Sequence, residues 1–273
     1  MSEAPLDDDP STWRCYRHPD REGAVRCRRC ERPICTDDMI QAPVGFQCPE
    51  CVRGSGTTVR TIRDVAAANR PLVTQAIVAL CVLAFLPSLA GGGTMGRGSG
   101  GFVRDLGLFG PAVAAGEWYR VFTSAFLHAG LIHIGFNMWL LWQLGGMLEP
   151  ALGRLRYGLV AYTALVSGSF GVLLLSPRAL TVGASGIVFG LMGAAFLAMR
   201  ARGIDPMQTG IGGLILINLL LTFTIPGISI GGHVGGLVGG ATAGWLLLDR
   251  PPQMAGVVAA LAAAVTAGCF LVA

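Results

Sequence analysis

Gly183-Ala184-Ser185-Gly186-Ile187-Val188-Phe189-Gly190 opens one apolar run of this chain, and Gly231-Gly232-His233-Val234-Gly235-Gly236 opens another. Both runs have the composition of helices in lipid, and both are short, which suits helices that start below the membrane surface. A serine and a histidine heading such helices are costly there, so by default they point to function. Together the two side chains can supply a nucleophile and the base that activates it. The chain reads as a serine hydrolase built inside a membrane.

Composition agrees with a membrane location. Of 273 residues, 52% are hydrophobic and only 13% charged, about half the charge of a soluble domain. Glycine, with 40 residues, is more frequent in membrane helices than in soluble ones. The formal charge of +4 is carried by arginines spread over loop ends, which does not indicate a nucleic-acid partner.

The apolar runs are Leu72–Ala90, Leu131–Leu148, Leu155–Ser176, Ser185–Met199, Gly210–Ile225, His233–Leu248 and Met254–Val272. About 20 apolar residues suffice to span a bilayer, so the expected fold class is all-α and polytopic. Arg60, Arg63, Arg70, Arg154, Arg156, Arg200, Arg202 and Arg250 crowd alternate loops. The positive-inside rule puts those loops and the N-terminus in the cytoplasm. The long loop from Gly91 to Ser124 is then external. The second, fourth and sixth helices start from that outer face, so His128, His133, Asn137, Ser185 and His233 share one depth.

Glycine spacing predicts which helices touch. Gly236, Gly240 and Gly244 recur on one face of the sixth helix, and Gly186, Gly190 and Gly193 line the fourth. Small residues at this spacing let backbones approach closely, and that contact would bring Ser185 to His233. Alone, Ser185 is more simply a packing residue and His233 a proton-relay group. His128, His133 and Asn137 have spacings that suit zinc, but no carboxylate or thiolate completes the set. The Gly-x-Ser-x-Gly elbow fails at Ile187, and no strand precedes Ser185, which argues against an α/β-hydrolase. A transporter is disfavoured because no acidic residue lies mid-helix.

The first fifty residues are of another kind. Cys15-x₂-His18, Cys27-x₂-Cys30, Cys35-x₂-Asp38 and Cys48-x₂-Cys51 form four ligand pairs with the spacing of structural zinc. Asp37 competes with Asp38 for its place. A cytoplasmic location disfavours disulfides. The segment is too short to fold on apolar burial alone, so metal would supply the missing stability.

Four pieces in order make the chain resemble the rhomboid intramembrane serine proteases over roughly residues 70 to 250. They are Glu117-Trp118-Tyr119-Arg120, the run from His128 through His133 to Asn137, the segment around Ser185, and the segment around His233. The resemblance implies a six-helix core, with the helix after Pro252 as an extra seventh. It implies Ser185 as nucleophile, His233 as general base, and an oxyanion hole from Asn137, His133 and the Ser185 backbone N–H. His128 would support the site, Trp118 and Arg120 would form a structural pair in the first loop, and no metal would be needed for catalysis. Phe189 stands where a tyrosine that packs on the base is frequent. With no acid near His233 except Glu117, a Ser–His dyad is expected. The substrates implied are single-pass transmembrane proteins cut near the outer end of the helix. The alternative is a non-catalytic rhomboid-like binder of membrane proteins, which a chain keeping both Ser185 and His233 argues against.

Residues 15 to 51 resemble a B-box-type zinc finger. That resemblance implies a cross-brace, with one zinc on Cys15, His18, Cys35 and Asp38 and another on Cys27, Cys30, Cys48 and Cys51. The domain organisation expected is a disordered acidic N-terminus (1–14), a zinc finger (15–51), a linker (52–70), a protease core (71–250) and an additional helix (251–273). A protein or lipid partner is expected for the zinc module at the cytoplasmic face of a cell membrane.

Overall fold

The computed structural model describes residues 12–42, 45–54, 70–90, 101–248 and 250–273. The expected acidic tail through residue 11, most of the expected linker with Arg60 and Arg63, and part of the expected external loop lie outside the described residues. The chain divides into two units, Met1–Ala68 and Asn69–Ala273.

The first unit holds two antiparallel pairs of two-residue strands. β1 (Val25–Arg26) pairs with β2 (Pro33–Ile34), and β3 (Ile40–Gln41) with β4 (Phe46–Gln47). A short helix, α1 (Pro49–Gly54), follows. The buried apolar centre is only Cys27, Ile34 and Cys48. The folded part is wider than the spacing of ligands predicts. The Gly23 N–H donates to the Trp13 carbonyl at 2.9 Å, Arg14 bridges to Glu22, and α1 runs past Cys51. Backbone pairing on the N-terminal flank and a helix on the C-terminal one extend the folded part from 15–51 to at least 12–54.

The second unit is a helical bundle. Its helices are α2 (Leu72–Ala90), the short α3 (Gly101–Leu106), α4 (Gly110–Ala114) and α5 (Arg120–Thr123), then α6 (Leu131–Leu152), α7 (Arg154–Leu175), α8 (Ser185–Ala201), α9 (Ile211–Thr224), α10 (Ile230–Leu247) and α11 (Met254–Val272). All seven expected long helices are present. By length and apolarity, α7 and α11 suffice to cross a membrane. A third span results if Arg120–Phe126 and α6, which meet at 92°, are counted together. This is a membrane protein, mostly helical.

The centre of the bundle is α10, which packs chiefly on α7 and α8. Glycine rows make that contact. A Cβ on Gly236 would strike the Gly186 backbone, one on Gly240 the Gly190 backbone, and one on Gly190 would lie 2.8 Å from the Gly236 carbonyl oxygen. Around this seam Leu141, Leu144, Tyr157, Val160, Leu191 and Met192 form the buried core. The additional helix α11 lies on α7.

Two helix bounds differ from expectation in ways that matter. α6 continues past Leu148 and takes in Glu149, so an acidic residue does lie in a helix. It is buried, and its carboxylate accepts from the Val73 and Thr74 N–H groups and the Thr74 hydroxyl, each at 2.8 Å. A carboxylate at the start of α2 satisfies N–H groups that have no partner within the helix. α10 starts at Ile230 rather than His233, because the Ser229 hydroxyl caps it by accepting from the Gly232 N–H at 3.1 Å. Serine is a favoured residue for that position. His233 therefore sits inside the first turn.

Candidate functional site

The first turns of α6, α8 and α10 converge, and the loop before α8 sets the geometry. Gly183 has φ +134°, a backbone conformation that favours glycine. Its N–H donates to the Ser124 carbonyl at 2.9 Å, tying this loop to the segment that leads into α6. A Cβ at Gly183 would lie 2.9 Å from His133 Nε2 and 3.7 Å from Ser185 Oγ. Ring and hydroxyl thus border one small space.

Ser185 is the first residue of α8, where backbone N–H groups have no partner within the helix. Phe189 lies one turn further on. Its ring stacks on His233 with centroids 4.2 Å apart and an interplanar angle of 21°. The close seam between α8 and α10 carries His233 to the Ser185 end. A phenylalanine fills the position as a tyrosine ring would, so losing the hydroxyl does not undo the packing.

The expected oxyanion residues lie on α6, one turn apart. His133 Nδ1 is 3.5 Å from the Ala129 N–H, a long contact that still orients Nδ1 as the acceptor and leaves Nε2 to carry the ring proton. Asn137 is buried and spends one N–H on the His133 carbonyl at 2.8 Å. The same amide carries a second N–H. His128 is 2% exposed and packs edge-on against His133, with centroids 5.1 Å apart. Neither of its ring nitrogens makes a well-formed hydrogen bond, and buried polar atoms in that state usually meet water.

The first-loop pair divides into two roles. Arg120 is 7% exposed; its guanidinium donates to the Glu117 carboxylate at 2.7 Å and to the Arg104 and Gly107 carbonyls at 2.6 and 2.9 Å. It fastens the loop. Trp118 is 59% exposed and meets Tyr119 and Phe122 edge-on. Glu117 is held below the usual carboxylate range by hydrogen bonds from Arg120 and Tyr119. Its carboxylate is taken up by these two partners.

Sequence reading missed Thr222 on α9. Its hydroxyl lies 2.6 Å from His233 Nδ1. A threonine in an apolar run gives no signal of this by itself.

In the first unit the ligand atoms gather in two groups, Cys27, Cys30, Cys48, Cys51 and Cys15, His18, Cys35, Asp38, each with all its atoms within 4.8 Å of one another. Asp38 joins its cluster, whereas Asp37 is exposed and pairs with Arg21. Zinc–ligand bonds of about 2.0–2.3 Å in a tetrahedron separate ligands by about 3.3–3.8 Å. Cys30 and Cys48 Sγ are 3.7 Å apart, Cys35 Sγ and His18 Nδ1 3.5 Å, and Cys15 Sγ and His18 Nδ1 3.8 Å. Both clusters could hold a metal ion. Burial alone would raise the Cys27 thiol, yet N–H donors from Cys48, Arg29 and Cys30 pull it down to about 6. Arg32 donates to Cys30 Sγ at 3.3 Å, and Arg17 to the Asp38 carboxylate at 2.8 Å. These donors offset the charge that thiolate and carboxylate ligands bring.

Comparison with known proteins agrees with this picture. The Rhomboid domain family model matches residues 115–250. The chain is 34% identical to rhomboid protease GluP of Bacillus subtilis over 180 residues, which is 63% of this chain and 34% of that one. It is 34% identical to Rhomboid-like protease 1 of Toxoplasma gondii, over 59% of this chain and 60% of that one. It is 32% identical to putative rhomboid protease YdcA of B. subtilis, over 50% of this chain and 71% of that one. The chain thus spans between a third and three fifths of the first two relatives.

Proposed function

This chain belongs to the rhomboid family of intramembrane serine proteases, and on that premise we propose that it is an endopeptidase acting on transmembrane helices through Ser185 and His233. The observation that carries the proposal is the convergence of three helix starts. His233 stacks on Phe189, one turn from Ser185, and the His133 ring and the Ser185 hydroxyl border one small space beside Gly183.

The chemistry follows from those groups. His233 Nε2 takes the Ser185 proton as Oγ bonds to the scissile carbonyl carbon. The carbonyl oxygen gains negative charge and meets donors already in place: His133 Nε2–H, the remaining Asn137 N–H and the Ser185 backbone N–H. The imidazolium then gives its proton to the leaving amine as the C–N bond breaks. Water repeats the sequence on the acyl-enzyme, with His233 as base again. His128 packs edge-on against His133 and supports the angle of that ring.

The substrates are single-pass membrane proteins, cut near the outer ends of their helices. A helix shields its amides by internal hydrogen bonds, so segments rich in glycine or proline unwind at least cost. Alternating arginines support a cytoplasmic N-terminus and an active site toward the outer face. The cysteine unit holds two structural zinc ions and offers a protein or lipid partner a surface; its metal takes no part in the chemistry.

Cleavage of a model transmembrane substrate by the purified protein tests the reading. Ser185→Ala and His233→Ala should each abolish turnover with the fold retained. Asn137→Ala should lower kcat about 10²–10³-fold with substrate binding nearly unchanged. Wild-type turnover by Ser185→Ala would end the proposal.

A further inference from the structure

We propose that Thr222 fixes the tautomer of His233, so that a neutral hydroxyl does the orienting task that a carboxylate performs in a catalytic triad. The proposal rests on the Ser–His reading above and names a positioning residue for it. α9 has two buried residues, Gly212 and Thr222, and Thr222 is 2% exposed. Thr222 Oγ1 lies 2.6 Å from the Asn218 carbonyl oxygen, one turn back in the same helix, and 2.6 Å from His233 Nδ1.

A hydroxyl has one proton and two lone pairs, and a carbonyl can only accept. The proton on Oγ1 therefore goes to Asn218, in the back-bond that threonine makes within helices. Oγ1 then faces His233 with lone pairs alone. Nδ1 must be the donor, which leaves Nε2 without a proton. The opposite assignment, with the hydroxyl donating to Nδ1, would leave two oxygens 2.6 Å apart with no proton between them. The network thus selects the tautomer whose Nε2 can act as base toward Ser185.

The same bond serves the next step. Once Nε2 has taken the serine proton, the ring is charged, and its Nδ1–H bond to Thr222 becomes charge-assisted and stronger. In a triad an aspartate both orients the imidazole and stabilises the imidazolium. Here the hydroxyl does so, backed by a peptide carbonyl. Phe189 from α8 holds the ring face and Thr222 from α9 holds its edge. The base is thereby positioned by three helices.

The test uses the full-length protein in detergent with a model transmembrane substrate. Thr222→Val keeps the branched shape and removes the hydroxyl. It should lower kcat about ten- to a hundredfold, the range expected for one hydrogen bond to a charged ring, with KM little changed. Thr222→Ser should restore most of the rate. ¹⁵N NMR of histidine-labelled protein, with the His233 signals assigned by their absence from His233→Asn, should show a protonated Nδ1 and a bare Nε2 in the wild type. Thr222→Val should lose that preference. Wild-type kcat in Thr222→Val beside an inactive Ser185→Ala would overturn this proposal and leave the dyad standing; an active Ser185→Ala would overturn the dyad itself. If Thr222→Val does not fold, the wild-type spectrum decides, and a His233 protonated on Nε2 overturns the proposal.

Discussion

In the cysteine unit the strands are two residues long and the buried apolar centre is Cys27, Ile34 and Cys48. In the helical unit the core runs through α6, α7, α8 and α10, and whole helices meet backbone to backbone at Gly186, Gly190, Gly236 and Gly240. The first has too little apolar surface to hold itself and gathers eight ligand atoms instead. The second is surrounded by lipid, where apolar burial drives little and close packing does the holding. Their polar groups follow suit. In the cysteine unit Arg17 and Arg32 reach the ligands from its surface. In the bundle Glu149, Arg120 and Thr222 are closed off on partners of the fold. What breaks one unit should therefore leave the other standing.

Chelation should give the largest separation. Removing metal should unfold the cysteine unit while cleavage of a model substrate in detergent persists. Metal analysis should find about two zinc ions per chain, lost when Cys15, Cys27 and Cys30 are all changed to Ser. Activity that falls with the metal would join what the comparison separates. The converse lesion is Gly240→Leu. Its side chain must enter the Gly190 backbone, and overpacking costs about 1–3 kcal/mol or more. The bundle should lose its thermal transition and its activity, while zinc content stays at the wild-type level.

These two tests use features that sequence alone made legible, and the reason is local. Apolar runs of membrane length, cysteines two residues apart and glycines every fourth residue each report on their own element. The network around α2 and the base did not show. Glu149 meets Thr74, and Thr74 meets Tyr157, only once α2, α6 and α7 are packed. Thr222 is one threonine in Leu220-Leu221-Thr222-Phe223, and only the crossing of α9 and α10 gives it His233. The start of α10 was within reach, since Ser229 is a favoured cap residue. Trp13 and Arg14 contribute backbone pairing, which the spacing of ligand residues does not report.

Smaller effects sharpen the comparison within the bundle. Glu149→Gln keeps the shape and removes the charge that receives three donors at 2.8 Å. Thermal or denaturant unfolding in detergent should show a loss of about 1–3 kcal/mol with the kcat of the folded fraction unchanged. A loss of kcat alone would give Glu149 a part in the chemistry. The smallest effect concerns the first loop. Glu117 is depressed in the folded state by hydrogen bonds from Arg120 and Tyr119. Its contribution is present above the ordinary value of 4.5 and is lost as pH falls through the depressed one. Proteolysis of the loop should rise on that acid limb, and Glu117→Gln should be equally cut at every pH above it. A pH-independent wild type would show that the ion pair does not fasten the loop.

In the proposed reaction one serine, activated by one histidine and no metal, does the chemistry. Fluorophosphonate labelling of the purified full-length protein, followed by peptide mapping of the adduct, tests it most directly. The account predicts a single adduct on Ser185, absent from Ser185→Ala, much slower in His233→Ala, and undiminished by a chelator. An adduct on another residue, or labelling that survives Ser185→Ala, would contradict it.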